Sequence, residues 1–143
     1  MPKKAVIVVC CMLFASSMAV AQPKSDKVPG CTDIQAKQAK KEAGHLKNWP
    51  SIYRSFKRFA QCDENDTEIS EQYTASISHL LAHEWKNVGA FLHIASSDKK
   101  FEQFVFRHID ESMGNEEGYQ IIDNARLHCP RGGKRLCEAI AAP

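Results

Sequence analysis

The chain has 143 residues, with 19 Lys and Arg against 17 Asp and Glu. Its first 21 residues hold Lys3 and Lys4 and no acid, so the 122 that follow carry 17 charges of each sign. That balance speaks against a polyanion-binding protein, which keeps an excess of basic charge, and the length fits one domain.

Residues 1–21 read as a cleavable export signal. Pro2-Lys3-Lys4 is a short positive start, Ala5 to Ala15 is apolar, and Ala19-Val20-Ala21 places small residues at the spacing that signal peptidase prefers. Gln22 becomes the expected N-terminus. The apolar stretch is about 11 residues long, where a membrane span needs roughly 20, so no integral anchor is expected after cleavage. Cys10 and Cys11 lie inside the apolar stretch after Val8-Val9, which is not the setting of a lipidated cysteine. Residues 22–30, with Pro23, Pro29 and Gly30 among charges, read as a flexible lead-in, and residues 31–143 as the folded domain.

The domain reads as consecutive helices. Thr32-Asp33-Ile34-Gln35 has the form of a capping box. A first helix follows to about Asn48, with the thin apolar set Ile34, Ala39, Ala43 and Leu46. Trp49-Pro50-Ser51 is expected to break it, because proline disfavours helix in the residue before it. A second helix over 51–61 carries Ile52, Tyr53, Phe56, Phe59 and Ala60 at helical period. After the turn Asp63-Glu64-Asn65-Asp66, with Asn65 and Glu68 as capping candidates, a third runs to about Trp85 through Ile69, Tyr73, Ile77, Leu80 and Leu81. A fourth spans Asn87 to Ala95, with Val88, Phe91 and Leu92. A fifth runs from Ser97-Asp98 to about Met113 with Phe101, Phe104, Val105 and Ile109 inward. Gly114-Asn115 ends it, and Glu116-Glu117 favour the next N-terminus through the helix dipole. The sixth holds Tyr119, Ile122 and Ala125. A turn over Cys129-Pro130-Arg131-Gly132-Gly133 leads into a short last helix with Leu136, Cys137 and Ile140. No alternating strand pattern occurs. The expected fold is all-α: one domain of six or seven short helices.

Four cysteines remain after the signal: Cys31, Cys62, Cys129 and Cys137. An even number in a small exported domain points to two disulfides. Their wide spacing, without a C-x-x-C pair, does not suit zinc. A helical hairpin brings Cys31, before the first helix, to Cys62, at the end of the second. Cys129 and Cys137 flank the last tight turn. In the chain-entropy picture these two loops contribute roughly 3.7 and 2.6 kcal/mol.

Charge is unevenly placed. Residues 22–60 carry nine basic and three acidic groups, and residues 61–84 carry six acids and no Lys or Arg. Such polarity either steers a partner or lets two neighbouring helices attract, and the second is the simpler expectation. The acidic run Asp63 to Glu68 does not make a calcium loop, since Glu68 and Thr74 stand where glycine and glutamate are required. Lys37, Lys40, Lys41 and Lys47 lack the interleaved aromatics of a nucleic-acid surface.

Few residues could carry chemistry. His79 and His83 are four apart on the third helix, the spacing of two metal ligands on one face, and Glu84 adds a carboxylate. The zinc-protease order His-Glu-x-x-His is absent, and both histidines project near the polar margin, so the expectation is a solvated pair with no metal or other cofactor. Glu84 projects into the apolar face of the third helix, and His108 among Phe101, Phe104 and Val105 of the fifth. A buried carboxylate or imidazole needs a partner, so the two are expected to form a structural pair. Phe106 projects opposite Phe101: either a second packing face under helix six, or an exposed aromatic anchor for a partner. No nucleophile is placed beside a base by any motif, so no catalytic residue is assigned.

The series Phe59-Ala60-Gln61-Cys62, Tyr73, Leu80-Leu81-Ala82, Trp85, Phe104-Val105, Arg107-His108-Ile109-Asp110, Cys129-Pro130 and Cys137 resembles small exported helical proteins of proteobacteria that have no assigned activity. At the level of class, an export signal with helices and disulfides is similar to periplasmic immunity proteins that block secreted toxins. A net-neutral, motif-free helical domain with bipolar charge is expected to be a periplasmic or secreted, non-catalytic protein that binds an envelope or secreted protein as inhibitor or escort. The competing expectation is a metal-handling protein or hydrolase using His79, His83 and Glu84.

Overall fold

A computed structural model of the chain describes residues 30–141, apart from 65, 113 and 115 and the side chains of 111 and 112. The expected export signal, most of the expected lead-in and the capping role expected of Asn65 therefore lie outside the described residues. Among those described there are seven α-helices and no strand: α1 (Asp33–Ala43), α2 (Trp49–Asp63), α3 (Thr67–His83), α4 (Val88–Ser97), α5 (Lys99–Ser112), α6 (Glu116–Leu127) and α7 (Lys134–Ala141). A 3-10 turn, Trp85–Asn87, joins α3 to α4. No described helix is long and apolar enough to cross a membrane.

Local chemistry sets the helix starts. At α1 the Gln35 amide donates to Thr32 Oγ1 (3.3 Å) and the Thr32 amide to Gln35 Oε1 (3.0 Å), the reciprocal box read from the sequence. The helix ends at Gly44, earlier than Asn48. Trp49-Pro50 is the start of α2 and not the break after α1. Asn48 caps α2, accepting from the Ser51 amide at 2.9 Å. Pro50 sits in the first turn, where a missing N–H costs nothing. Trp49 is thereby delivered into the core, 1% exposed. Asp66 caps α3 through the Glu68 and Ile69 amides, and Asp98 caps α5 through the Lys100 and Phe101 amides.

α3 is the hub, packing against α1, α2, α5 and α6. The core between α2, α3, α4 and α5 is aromatic. Phe101 meets Tyr53 (5.0 Å between centroids) and Phe56 (5.4 Å); Phe104 meets Phe56 (4.9 Å) and Tyr73 (5.1 Å). Offset and edge-on pairs of this kind add to the area they bury. Helix ends are closed by side chains from elsewhere. Ser76 donates to the Ala43 carbonyl at the end of α1, and Asn124 Nδ2 donates to the Leu81 and Ala82 carbonyls at the end of α3, both at 2.9 Å. These are orphan carbonyls that would otherwise be buried unpaired.

Both disulfides join the expected partners, Cys31 to Cys62 and Cys129 to Cys137, with Cα separations of 5.2 and 6.1 Å. The turn before α7 needs glycine twice. Gly132 has φ +82°, and a Cβ on Gly133 would lie 2.8 Å from the Pro130 ring. Two apolar residues expected to face inward do not: Ile34 and Tyr119 are exposed, as is Leu127. On α6 the inward place belongs to Ile121, fully buried. The helix is rotated so that Asn124 reaches the end of α3.

Candidate functional site

Two groupings of polar side chains stand out, one buried and one at the surface. The buried one joins α2, α3 and α5. Asp63 closes α2 with its side chain 1% exposed, where it ion-pairs with Arg107. The same carboxylate oxygen lies 3.4 Å from His108 Nε2. The other ring nitrogen of His108 shares a hydrogen bond with Thr74 Oγ1 at 2.8 Å. Phe104 lies edge-on to the imidazole at 4.6 Å, and Tyr73 lies beside it. Tyr73 in turn bonds Ser55 Oγ at 2.7 Å. Burial pushes its phenol up to about 12, against the opposing pull of the Ser55 hydrogen bond.

This arrangement corrects the expected Glu84–His108 pair. The buried imidazole does take a carboxylate, but it is Asp63. Thr74, which touches the ring, lies ten residues before Glu84, about 15 Å along a helix. Glu84 instead follows the end of α3, where it accepts from Asn87 Nδ2 at 2.9 Å and lies 3.8 Å from Lys86 Nζ. The helical projection failed because α3 stops at His83, so the 100° step no longer applies to residue 84. Hydroxyl, imidazole and carboxylate stand in line at Thr74, His108 and Asp63, but His108 is 0% and Asp63 3% exposed, so the line is closed to a substrate. The cluster ties three helices together.

The surface grouping lies where the last turn of α3 meets the first turn of α6. His79 and His83 project side by side, ring centroids 5.0 Å apart. Glu117 reaches them from α6: its Oε1 lies 3.1 Å from His83 Nε2 and 3.9 Å from His79 Nδ1. The carboxylate expected from Glu84 is thus supplied by Glu117. One ligand atom from each of the three residues falls within 4.8 Å of the others. Nothing in the sequence pairs residues 83 and 117, which are 34 apart. The only local signal was the acidic first turn of α6.

Phe106 is half-buried and packs against the core. The Arg135 guanidinium of α7 lies 5.9 Å from the ring centre and gives it cover. Arg135 also approaches the buried Glu102 carboxylate at 3.4 Å, so α7 is held to α5 on two counts. The uneven charge of the sequence is matched inside the fold. Lys40 of α1 reaches Glu68 at 2.6 Å and Asp66 at 3.2 Å. Hydrogen bonds to Glu68 first, then Asp66, hold its ammonium above the usual lysine range. Arg58 of α2 meets Glu42 of α1 at 3.2 Å, a pair within the basic stretch itself. Neighbouring helices attract, the simpler of the two expectations.

No family model, curated protein or solved structure matches the chain.

Proposed function

We propose that the chain is an exported, non-enzymatic binding module that acts on another protein outside the cytoplasm, as an inhibitor or an escort. Two disulfides favour an oxidising compartment, and the signal-like residues 1–21 supply the route to the periplasm or beyond. The inhibitor reading draws on the class resemblance to periplasmic immunity proteins.

The observation that carries the reading is on α6. Tyr119 and Leu127, 68% and 72% exposed, stand on its outer side with the exposed Asp123 and Arg126 between them. They are eight residues apart, which is about 12 Å along the helix and about 80° around it. A large aromatic and a leucine ringed by charges have the composition of an interface anchor and its rim. Phe106 is the second anchor candidate, weakened by the cover that Arg135 gives it. The alternative metal-handling or hydrolytic reading loses Glu84 as a member of its histidine site.

The test is capture of partners by the oxidised protein from the envelope of its own cell, followed by affinity measurement. Tyr119→Ala should weaken binding by more than about 1 kcal/mol, as expected of an anchor, and Phe106→Ala by less. Unchanged affinity in both variants would move the interface elsewhere. Unaided turnover of an envelope substrate by the purified protein would overturn the reading.

A further inference from the structure

His79, His83 and Glu117 make a set that the binding reading does not use. The residue types matter first. Two imidazoles and one carboxylate are a donor set for the borderline divalent ions of the nickel, copper and zinc group, whereas magnesium and calcium take oxygen ligands. The frame matters next. Two of the three ligands sit four apart on the last full turn of α3, and the third is fixed in the first turn of a different helix that packs against it. Their mutual spacing is therefore set by helix packing and not by loop freedom.

The distances leave little to adjust. Ligand atoms around a tetrahedral zinc lie about 3.4 Å apart, from bonds of about 2.0–2.2 Å. Here Glu117 Oε1 is already 3.1 Å from His83 Nε2 and 3.9 Å from His79 Nδ1. The widest separation among the three ligand atoms is within 4.8 Å. The side chains of His79 and His83 are 60% and 52% exposed, and that of Glu117 34%, so small rotations close the gap without disturbing the core. Exposure also means that an ion can enter and leave. Glu117 has a second reason to sit where it does, since a carboxylate in the first turn of α6 meets the positive end of the helix dipole. That accounts for an acid there but not for its aim at two histidines of α3.

We propose that His79, His83 and Glu117 form an exchangeable surface site for one divalent ion of this group, with three protein ligands and its remaining positions open to water. The ion bridges the end of α3 to the start of α6. The site lies apart from both exposed residues of the proposed protein-binding face on α6: Glu117 is about 160° around the helix from Tyr119, and about 15 Å along it and about 80° around it from Leu127.

The experiment is equilibrium dialysis of the purified, untagged, oxidised protein against ZnCl2, with thermal unfolding in parallel. One zinc per chain is expected, with a zinc-dependent rise in Tm because the ion binds only the folded form. His79→Ala, His83→Ala and Glu117→Gln should each lower the affinity by more than about tenfold, the scale on which even supporting residues of metal sites act. His45→Ala and His93→Ala, which alter histidines outside the set, should leave it unchanged. All three ligands are surface residues, so circular dichroism should show each variant folded. Wild-type zinc affinity in Glu117→Gln would overturn the three-ligand site, reducing it to a bare histidine pair. Zinc uptake that never saturates near one equivalent, or that is lost with His45 or His93 instead, would overturn it as well.

Discussion

The middle of this molecule and its two ends are held by different forces. α2, α3 and α5 meet through large aromatic side chains, with Tyr73, Phe59 and Phe101 fully enclosed and an ionic cluster at Asp63 locking the far end. α1 and α7 have little to bury. α1 contributes Ala39 and Ala43 and leaves Ile34 in solvent; α7 is eight residues long. Each of these weak ends carries a disulfide. Cys31 ties the start of α1 to the end of α2, and Cys137 ties α7 back to the segment after α6. Isolated helices of this length are marginal in water. Covalent closure takes over where apolar area runs out, and the cross-links fall at the edge of the core and not at its centre.

Breaking the middle should have the largest effect. Phe101→Ala removes a ring shared by Tyr53, Phe56 and Phe91, and should cost about 3–5 kcal/mol. Urea unfolding should remain one cooperative transition, with both ends lost together with the centre. Opening the longer disulfide comes next. Replacing Cys31 and Cys62 together by alanine should cost about 3.7 kcal/mol, against about 2.6 for the pair at Cys129 and Cys137. A loss near zero at either end would mean that packing alone suffices there.

A third test uses pH. Folded Tyr73 holds its proton up to about pH 12, above the ordinary value of 10.0, because burial opposes the phenolate. The unfolded chain therefore loses this proton first. Stability from this group is fully present below pH 10 and declines as pH rises from 10 towards 12, by about 2 kcal/mol. Tyr73→Phe should flatten that part of the curve, measured as urea midpoint against pH. The smallest effect should come from the periphery. Ile34→Ser should change stability by no more than about 0.5 kcal/mol, as a surface substitution does. A larger loss would give α1 an apolar role that its exposure denies.

The helices and the disulfides were legible because their causes are local. Periodicity, caps and the Cys129–Cys137 spacing lie within a few turns of one another, and the Cys31–Cys62 pair follows from closing a single helical hairpin. Helix ends were read less well where one residue has two uses. Pro50 ends a helix when seen from the residue before it and begins one when seen from Asn48, and only the packing of Trp49 decides. The rotation of α6 departs from the hydrophobic pattern at Tyr119, an amphipathic residue that tolerates solvent, and the tie from Asn124 to the end of α3 overrides that pattern. The partners of His108 and of the His79–His83 pair were out of reach. The sequence shows that a buried imidazole requires a polar partner, but not which of several groups the fold brings. Asp63 looked like a turn residue, and Glu117 like a dipole acid.

The order of the cysteines along the chain bears on how the protein is made. Of the four cysteines after residue 21, the first pairs with the second and the third with the fourth, so neither bond encloses or crosses the other. If the chain enters an oxidising space N-terminus first, as the proposed export requires, Cys31 and Cys62 are both present before Cys129 has emerged. An oxidant that simply joins each cysteine to the next one available produces the native pattern. Maturation then needs a disulfide oxidase and no isomerase, and the yield of native protein should be insensitive to loss of any shuffling activity.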